Sequence, residues 1–242
     1  MDKKKSEELK ELAIAIKARL NIEIRHNKKT ILPPLIIEIA GPPSSGKSTI
    51  IGKLDTSMRR LGFKVGLVQE GAQKVRNIER SEPDYNRATA LYSLHKLYEM
   101  RAIPSLDIII FERCIFDALV WPEYWLAKGK LSPEEVMIIK DFYLFDAGKV
   151  DVAFFIVRDP DLSVKGESKI LSVDQEKGGT TNVSTITVLK QLYELIYEEL
   201  REEKNISHIH LLDTSNLTEQ EMVDKVTEIT LIKLSKKCEN SS

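Results

Sequence analysis

The segment from Gly41 to Thr49, which reads G-P-P-S-S-G-K-S-T, constrains the fold of this chain more than any other feature. It follows an apolar, β-branched run, Leu35–Ala40, that predicts a buried strand, and it precedes a stretch with helical periodicity. Its two glycines allow backbone angles that a side chain forbids, so successive N–H groups can turn inward. The N-terminus of the following helix adds a favourable dipole. The sequence therefore predicts a phosphate-binding loop (P-loop).

Every residue of this loop is a predicted nucleotide contact: Gly41, Pro42, Pro43, Ser44, Ser45, Gly46, Lys47, Ser48 and Thr49. Lys47 should reach the β- and γ-phosphates as a point charge, which makes it a predicted catalytic residue. The Ser48 hydroxyl should bind Mg²⁺, which bridges the same phosphates. The alternative is a glycine-rich turn without a ligand. We expect ATP as the nucleotide, with GTP left open, and Mg²⁺ as the metal.

The rest of the chain alternates short apolar runs with helix-length segments. Four further strands are predicted at 64–69, 107–111, 152–157 and 209–212. Helices are predicted at 6–24, 47–61, a segment before Pro104, 115–127 with a break or kink near Pro122, 134–147, 183–199 and 218–234. Helix-length crossovers imply right-handed βαβ units. The predicted fold class is α/β, a three-layer α/β/α sandwich with a mainly parallel five-stranded sheet.

The 242 residues suit one domain with one sizeable core. Residues 1–30 are predicted to form an N-terminal amphipathic helix and a linker, 31–235 the main domain with a lid at about 158–182, and 236–242 a frayed tail. Apolar residues recur along the first helix at three- and four-residue steps, from Leu9 to Leu20. This stripe either covers the domain's flank or binds a partner.

Composition gives no support to several classes of partner. The 36 basic residues nearly cancel the 37 acidic ones, so no net field attracts nucleic acid or an anionic membrane. No apolar run approaches the length that spans a membrane. Two distant cysteines make no disulfide framework and no metal knuckle. We expect a cytoplasmic protein, and the sequence leaves open a homodimer.

Charged residues follow the ends of three predicted strands. Glu70 follows the second strand, Glu112 and Arg113 the third, and Arg158 the fourth. Since ligands bind outside the carboxyl ends of parallel strands, these side chains should converge with the P-loop on one cleft. Glu70 is either a general base or a solvated loop acid. For Glu112 and Arg113 the functional interpretation is favoured, because they interrupt an apolar run in which unpaired charge is costly.

These landmarks resemble the nucleoside and nucleotide kinase group of P-loop proteins, which includes deoxynucleoside kinases and thymidylate kinases. The similarity rests on the P-loop and four short segments: Leu67-Val68-Gln69-Glu70, Phe111-Glu112-Arg113-Cys114, Val157-Arg158-Asp159-Pro160 and Asp213-Thr214-Ser215. It implies a P-loop NTPase fold and phosphoryl transfer from ATP to a small-molecule hydroxyl or phosphate. It further implies that Glu70 accepts the acceptor's proton, that Arg113 grips phosphates, and that Arg158 leads into a mobile lid.

Two alternatives remain. The segment 158–179 carries Arg158 and three lysines where these kinases have several arginines, and lysine lacks the planar bidentate grip. Together with the N-terminal helix, this favours a rival function, a nucleotide-binding switch or slow ATPase module that acts through a protein partner. The second alternative concerns three aromatic residues, Trp121, Tyr124 and Trp125. They could either stack on an acceptor base or pack in the core, and their helical spacing favours the core.

Overall fold

The computed structural model describes residues 3–26, 33–168 and 182–239. The strands are β1 Leu35–Ala40, β2 Val65–Val68, β3 Ile108–Glu112, β4 Val152–Val157 and β5 Ile209–Asp213. The helices are α1 Lys3–His26, α2 Lys47–Arg60, α3 Pro83–Arg101, α4 Asp117–Ala127, α5 Pro133–Leu144, α6 Pro160–Ser168, α7 Val183–Glu202 and α8 Glu219–Glu239. Short 3-10 turns lie at Gly71–Gln73 and Ala147–Lys149.

The five strands form one sheet in the order β2-β3-β1-β4-β5, and every neighbouring pair is parallel. Strand β1, which leads into the P-loop, lies at the centre between β3 and β4. The carboxyl ends of all five strands therefore meet at one edge of the sheet, where an α/β sheet binds its ligands. The predicted five-stranded parallel sheet is confirmed.

Successive residues of each strand face opposite sides of the sheet, and each side has its own core. Ile36, Ile109 and Phe155 pack with side chains from α3, α4 and α7. Ile37 and Ile110, which face the other way, pack with side chains from α1, α2 and α8. Because both faces are covered, the strands are mostly apolar on both sides instead of alternating between apolar and polar residues. The three-layer α/β/α sandwich is thus confirmed.

Helix α1 packs against the domain's own core. Ala13, Ile16 and Leu20 are buried among residues of the layer formed with α2 and α8. The Lys17 ammonium also donates to Asp107, just before β3, over 2.7 Å. The apolar stripe of this helix is therefore occupied within the chain, as the flank-covering interpretation predicted, and it gives no support to a partner-binding one.

Some predicted boundaries need correction. The tail predicted from residue 236 is helical as far as Glu239, the end of α8, and Cys238 within it is fully buried. Pro122 lies inside α4 without ending it, since the helix continues to Ala127. Of the predicted lid, residues 160–168 form α6, and 169–181 lie outside the described residues. Within the described part of the chain, every helix is too short or too polar to cross a membrane.

Candidate functional site: a P-loop cleft

The segment Gly41 to Thr49 turns from β1 into α2 in the conformation that its glycines allow. Gly41 and Gly46 have φ angles of 150° and 99°, and Ser44 between them is left-handed at 58°. A Cβ atom at Gly41 would lie 2.1 Å from the carbonyl oxygen of Ile156, so only glycine fits beside β4. Helix α2 begins at Lys47, directly after Gly46. The loop therefore has the strand-turn-helix setting that phosphate binding requires.

The hydroxyl of Thr214, which follows β5, is hydrogen-bonded to this loop. Thr214 is buried, and its Oγ1 donates to the carbonyl oxygens of Ser45 and Val157, each at 3.1 Å. The backbone N–H of Thr214 also donates to Val157 over 2.8 Å. The Asp213-Thr214-Ser215 segment thus joins the end of β4 to the P-loop.

Lys47 is held inside the loop. Its ammonium is buried and donates to the Pro42 carbonyl oxygen over 2.7 Å. Burial, together with the nearby Arg113 cation, lowers the pKa of Lys47 to about 8, although Glu70 and Glu112 oppose the shift. A bound triphosphate would favour the charged form, because an anion beside an ammonium raises its pKa. The residue is thus placed to bind phosphate as a cation.

Ser48 meets an acid from the neighbouring strand. The Ser48 hydroxyl donates to Glu112 Oε1 over 3.2 Å, and Glu112 is the last residue of β3. This contact places Glu112 beside the predicted metal ligand. A hydroxyl and a carboxylate are hard oxygen donors of the kind Mg²⁺ prefers. The residues present therefore fit a magnesium ion that also contacts phosphates.

Glu70 and Arg113 form the other end of the site. Arg113 Nε lies 3.2 Å from Glu70 Oε1, although the angle is not that of a hydrogen bond, and this nitrogen is buried without a hydrogen-bond partner. Burial alone would lower the pKa of Arg113, but Asp117 and Glu70 raise it well above its usual value. The guanidinium is therefore a permanent cation next to an acid that is more than a third exposed.

These side chains open onto one cleft of about 360 Å³, within the range of small-molecule sites. It is lined by Pro43, Ser44, Lys47, Ser48, Glu70, Ala72, Arg80, Tyr85, Asn86, Glu112, Arg113 and Trp121. Four of the five predicted catalytic residues are in this set. Arg158 is not, although it follows β4 as predicted, and Thr49 is exposed at the start of α2 without lining the cleft.

Sequence reasoning missed a buried acid in the central strand. Glu38 is fully buried in β1 and accepts hydrogen bonds from the backbone N–H groups of Cys114, Phe116 and Asp117 at 2.8 to 3.0 Å. Burial raises the pKa of Glu38 to about 7, although the backbone donors oppose that shift. An acid inside the apolar run Leu35–Ala40 was the signal that could have revealed it. Glu38 fixes the turn that carries Arg113.

Asp117 and Tyr193 were also missed. Asp117 is buried and accepts from Arg113, Trp121 and Tyr193. The Tyr193 hydroxyl, from α7, also lies 3.2 Å from Arg113 Nη1. Trp121 therefore does two things: it packs with Tyr124 and Trp125 in a small core cluster, and its ring lies 5.7 Å from the Arg113 guanidinium carbon at the cleft.

No protein-family model matches the chain. It is similar to thymidylate kinase from Geobacillus thermodenitrificans (strain NG80-2), with 27% identity over 139 residues. That match covers 52% of this chain and 60% of the kinase, so it spans little more than half of either protein. A distant similarity to a P-loop kinase agrees with the parallel sheet and the P-loop described above, and it loosely supports the P-loop kinase group.

Proposed function

We propose that this protein is a kinase that transfers the γ-phosphoryl group of ATP, with Mg²⁺, to a hydroxyl or phosphate of a small molecule. A nucleoside or nucleotide is the acceptor class that the resemblance and the thymidylate kinase similarity favour. The observation that carries the proposal is the shared cleft. A P-loop with its lysine lies at one end, and an acid paired with a buried arginine lies at the other.

The two ends suit the two halves of phosphoryl transfer, which depends on positioning and charge neutralisation more than on covalent chemistry. Lys47 and the loop N–H groups would hold the β- and γ-phosphates. Ser48 and Glu112 would hold Mg²⁺, which supplies further charge neutralisation when bound. Glu70 would accept the proton of the acceptor hydroxyl, and Arg113 would bind an anionic oxygen of donor or acceptor.

The rival function is a nucleotide switch or slow ATPase that acts through a partner. One of its supports was the N-terminal helix, and that helix packs on the domain's own core. The arginine-poor segment after β4 is its other support, and residues 169–181 of that segment lie outside the described residues. No contact in the described part of the chain favours the rival over the kinase.

Incubation with γ-labelled ATP and Mg²⁺ tests the proposal against a panel of nucleosides, nucleoside monophosphates including dTMP, and hydroxylated metabolites. We expect label to move to one acceptor class in the wild type and to be nearly lost in Lys47→Ala. Hydrolysis to phosphate without transfer to any acceptor would contradict the kinase and favour the rival. The matched control is Lys53→Ala, since Lys53 is exposed on the same helix and pairs with Glu219.

A further inference from the structure

The backbone of Arg113 adopts a conformation that needs outside support. Its φ angle is 63°, in the left-handed region that is unfavourable for a residue with a side chain. Two residues of β1 maintain the conformation. The Arg113 N–H donates to the Ile39 carbonyl oxygen over 3.1 Å. The Glu38 carboxylate accepts from the N–H groups of Cys114, Phe116 and Asp117 in the same turn. The turn is therefore fixed by the central strand β1 before any ligand is present.

The side chain of Arg113 is anchored through one nitrogen. Nη1 donates to Asp117 Oδ1 over 2.8 Å and to the Tyr193 hydroxyl over 3.2 Å. Tyr193 in turn donates to Asp117 Oδ1, and Trp121 donates to Asp117 Oδ2 over 3.0 Å. All three partners are buried, so these contacts are shielded from water. The anchors come from α4 and α7, two separate helices.

The same anchoring leaves a donor for a ligand. Arg113 is nine-tenths buried, and its Nε, the nitrogen nearest to Glu70, has no hydrogen-bond partner. A buried guanidinium N–H without a partner is costly, and such groups call for an explanation. An anionic oxygen in the cleft that Arg113 lines would satisfy it.

Tyr193 also lies close to the P-loop. The backbone N–H of Gly41, the first residue of that loop, opposes the rise in the pKa of Tyr193 that burial causes. The hydroxyl itself is hydrogen-bonded to Asp117 and Arg113.

We propose that Asp117 and Tyr193 are positioning residues that hold the Arg113 guanidinium in one orientation toward the cleft. The effect of this orientation on turnover rests on the proposed kinase function. The orientation of the Arg113 side chain is independent of that function and can be measured without a substrate. A catalytic group that is already oriented before the substrate binds increases the rate, because a displacement of such a group by about 1 Å can lower turnover about 100-fold.

Tyr193→Phe is the direct test, because it removes only the hydroxyl. Its matched control is Tyr197→Phe, one turn further along α7, where the ring packs against the same core. The readout is the Arg113 Nε–H signal in ¹H–¹⁵N NMR spectra, assigned by its loss in Arg113→Lys. We expect that signal to exchange with solvent at least about 10-fold faster in Tyr193→Phe than in the wild type, as for a group freed by local opening. Tyr197→Phe should match the wild type.

An Arg113 Nε–H signal that is equally sharp and equally protected in Tyr193→Phe would overturn the inference. Melting temperatures establish that each variant is folded. Should Tyr193→Phe not fold, Asp117→Asn takes its place with the same expected result, since it removes the charge that Nη1 contacts while keeping the side-chain shape.

A double-mutant cycle tests the consequence for turnover. Tyr193→Phe should lower turnover about 100-fold while leaving ATP affinity nearly unchanged. In an Arg113→Ala background, the same change should cost less than about twofold, because residues that act as a unit are not additive. Equal effects in both backgrounds would show that Tyr193 acts independently of Arg113 and contradict the proposal. If the panel reveals no phosphoryl transfer, the proposed function falls, and the NMR exchange measurement alone decides the inference.

Discussion

The two ends of the cleft, which we propose to bind the phosphate donor and the acceptor, are built in opposite ways. The proposed donor end is one continuous loop, and its chemistry is largely that of backbone N–H groups at the start of α2. The proposed acceptor end is assembled from β1, the loops after β2 and β3, α4 and α7, and its chemistry is that of side chains. A site formed by consecutive residues can be predicted from the sequence, whereas a site assembled from distant segments depends on the tertiary fold.

The largest expected effect is at the acceptor end. Glu70→Gln should lower turnover about 100- to 10,000-fold, since an amide cannot accept the acceptor's proton. ATP affinity, measured by titration, should survive because it depends on the P-loop. Glu79→Gln, an exposed acid in the same connection, is the control. If Glu70→Gln were near wild type and Glu112→Gln inactive, the proton acceptor would belong to β3.

At the donor end, Lys47→Ala should reduce turnover about 100- to 1000-fold through lost charge stabilisation at the transferred phosphoryl group. The fold should remain, because the hydrogen bond that the ammonium makes within the described residues is to a carbonyl oxygen of its own loop. Steady-state kinetics and circular dichroism check both expectations. A variant with normal ATP affinity and full turnover would show that phosphate binding has been assigned to the wrong residues.

Glu112 lies between the two ends, and its variant decides to which of them it belongs. The contact with Ser48 predicts that Glu112→Gln raises the Mg²⁺ concentration for half-maximal activity by about 10- to 100-fold, the usual cost of losing a group that supports a metal ligand. Glu70→Gln should leave that concentration unchanged. A Mg²⁺ dependence altered by Glu70→Gln but not by Glu112→Gln would reverse the assignment.

The smallest effect on turnover, and a distinct effect on stability, is expected from Glu38. Its pKa is raised from 4.5 to about 7, so the folded state binds a proton more tightly than the unfolded state does. This contribution to stability is fully present below pH 4.5 and is lost as the pH rises through 7. At 1.36 kcal/mol per pKa unit, the loss is roughly 3 kcal/mol.

Urea unfolding of wild type and Glu38→Gln between pH 4.5 and 8 measures this contribution as a difference. His208 and His210 act in the opposite direction, since burial lowers the pKa of each and their contribution to stability is lost as the pH falls below 6.5. The wild type and Glu38→Gln share the histidines, so the difference between their free energies of unfolding isolates the contribution of Glu38. A difference that does not change with pH would contradict the assignment.

The fold followed from the sequence because its signals are local. The buried strands are continuous apolar runs, and β1 and β4 were predicted with the bounds that the structure gives. Helix α5 also has a local start signal, since Ser132 and Glu135 cap each other's backbone N–H groups at its N-terminus. The prediction of a frayed tail was wrong because Cys238 is buried in the core shared with α1 and α2. That burial is a tertiary effect, and the residues next to Cys238 in the sequence are polar.

The sequence predicted a site residue only where its neighbours in the sequence revealed its position, such as directly after a strand. Glu70 and Arg113 were found because they follow strands, but their ion pair joins the loops after β2 and β3. Asp117 and Tyr193 are separated by 76 residues, and no periodicity relates a tyrosine on an amphipathic helix to an aspartate at the start of another. Only the packed structure brings them together.

The attachment of α1 has a practical consequence for handling the protein. This helix contacts Asp107, which precedes β3, so it is held at the amino ends of the strands, while the cleft lies at their carboxyl ends. Ile14 on its outer face is 69% exposed. A fluorophore or surface tether attached at residue 14 would therefore lie away from the residues that line the cleft, leaving the cleft free for binding measurements.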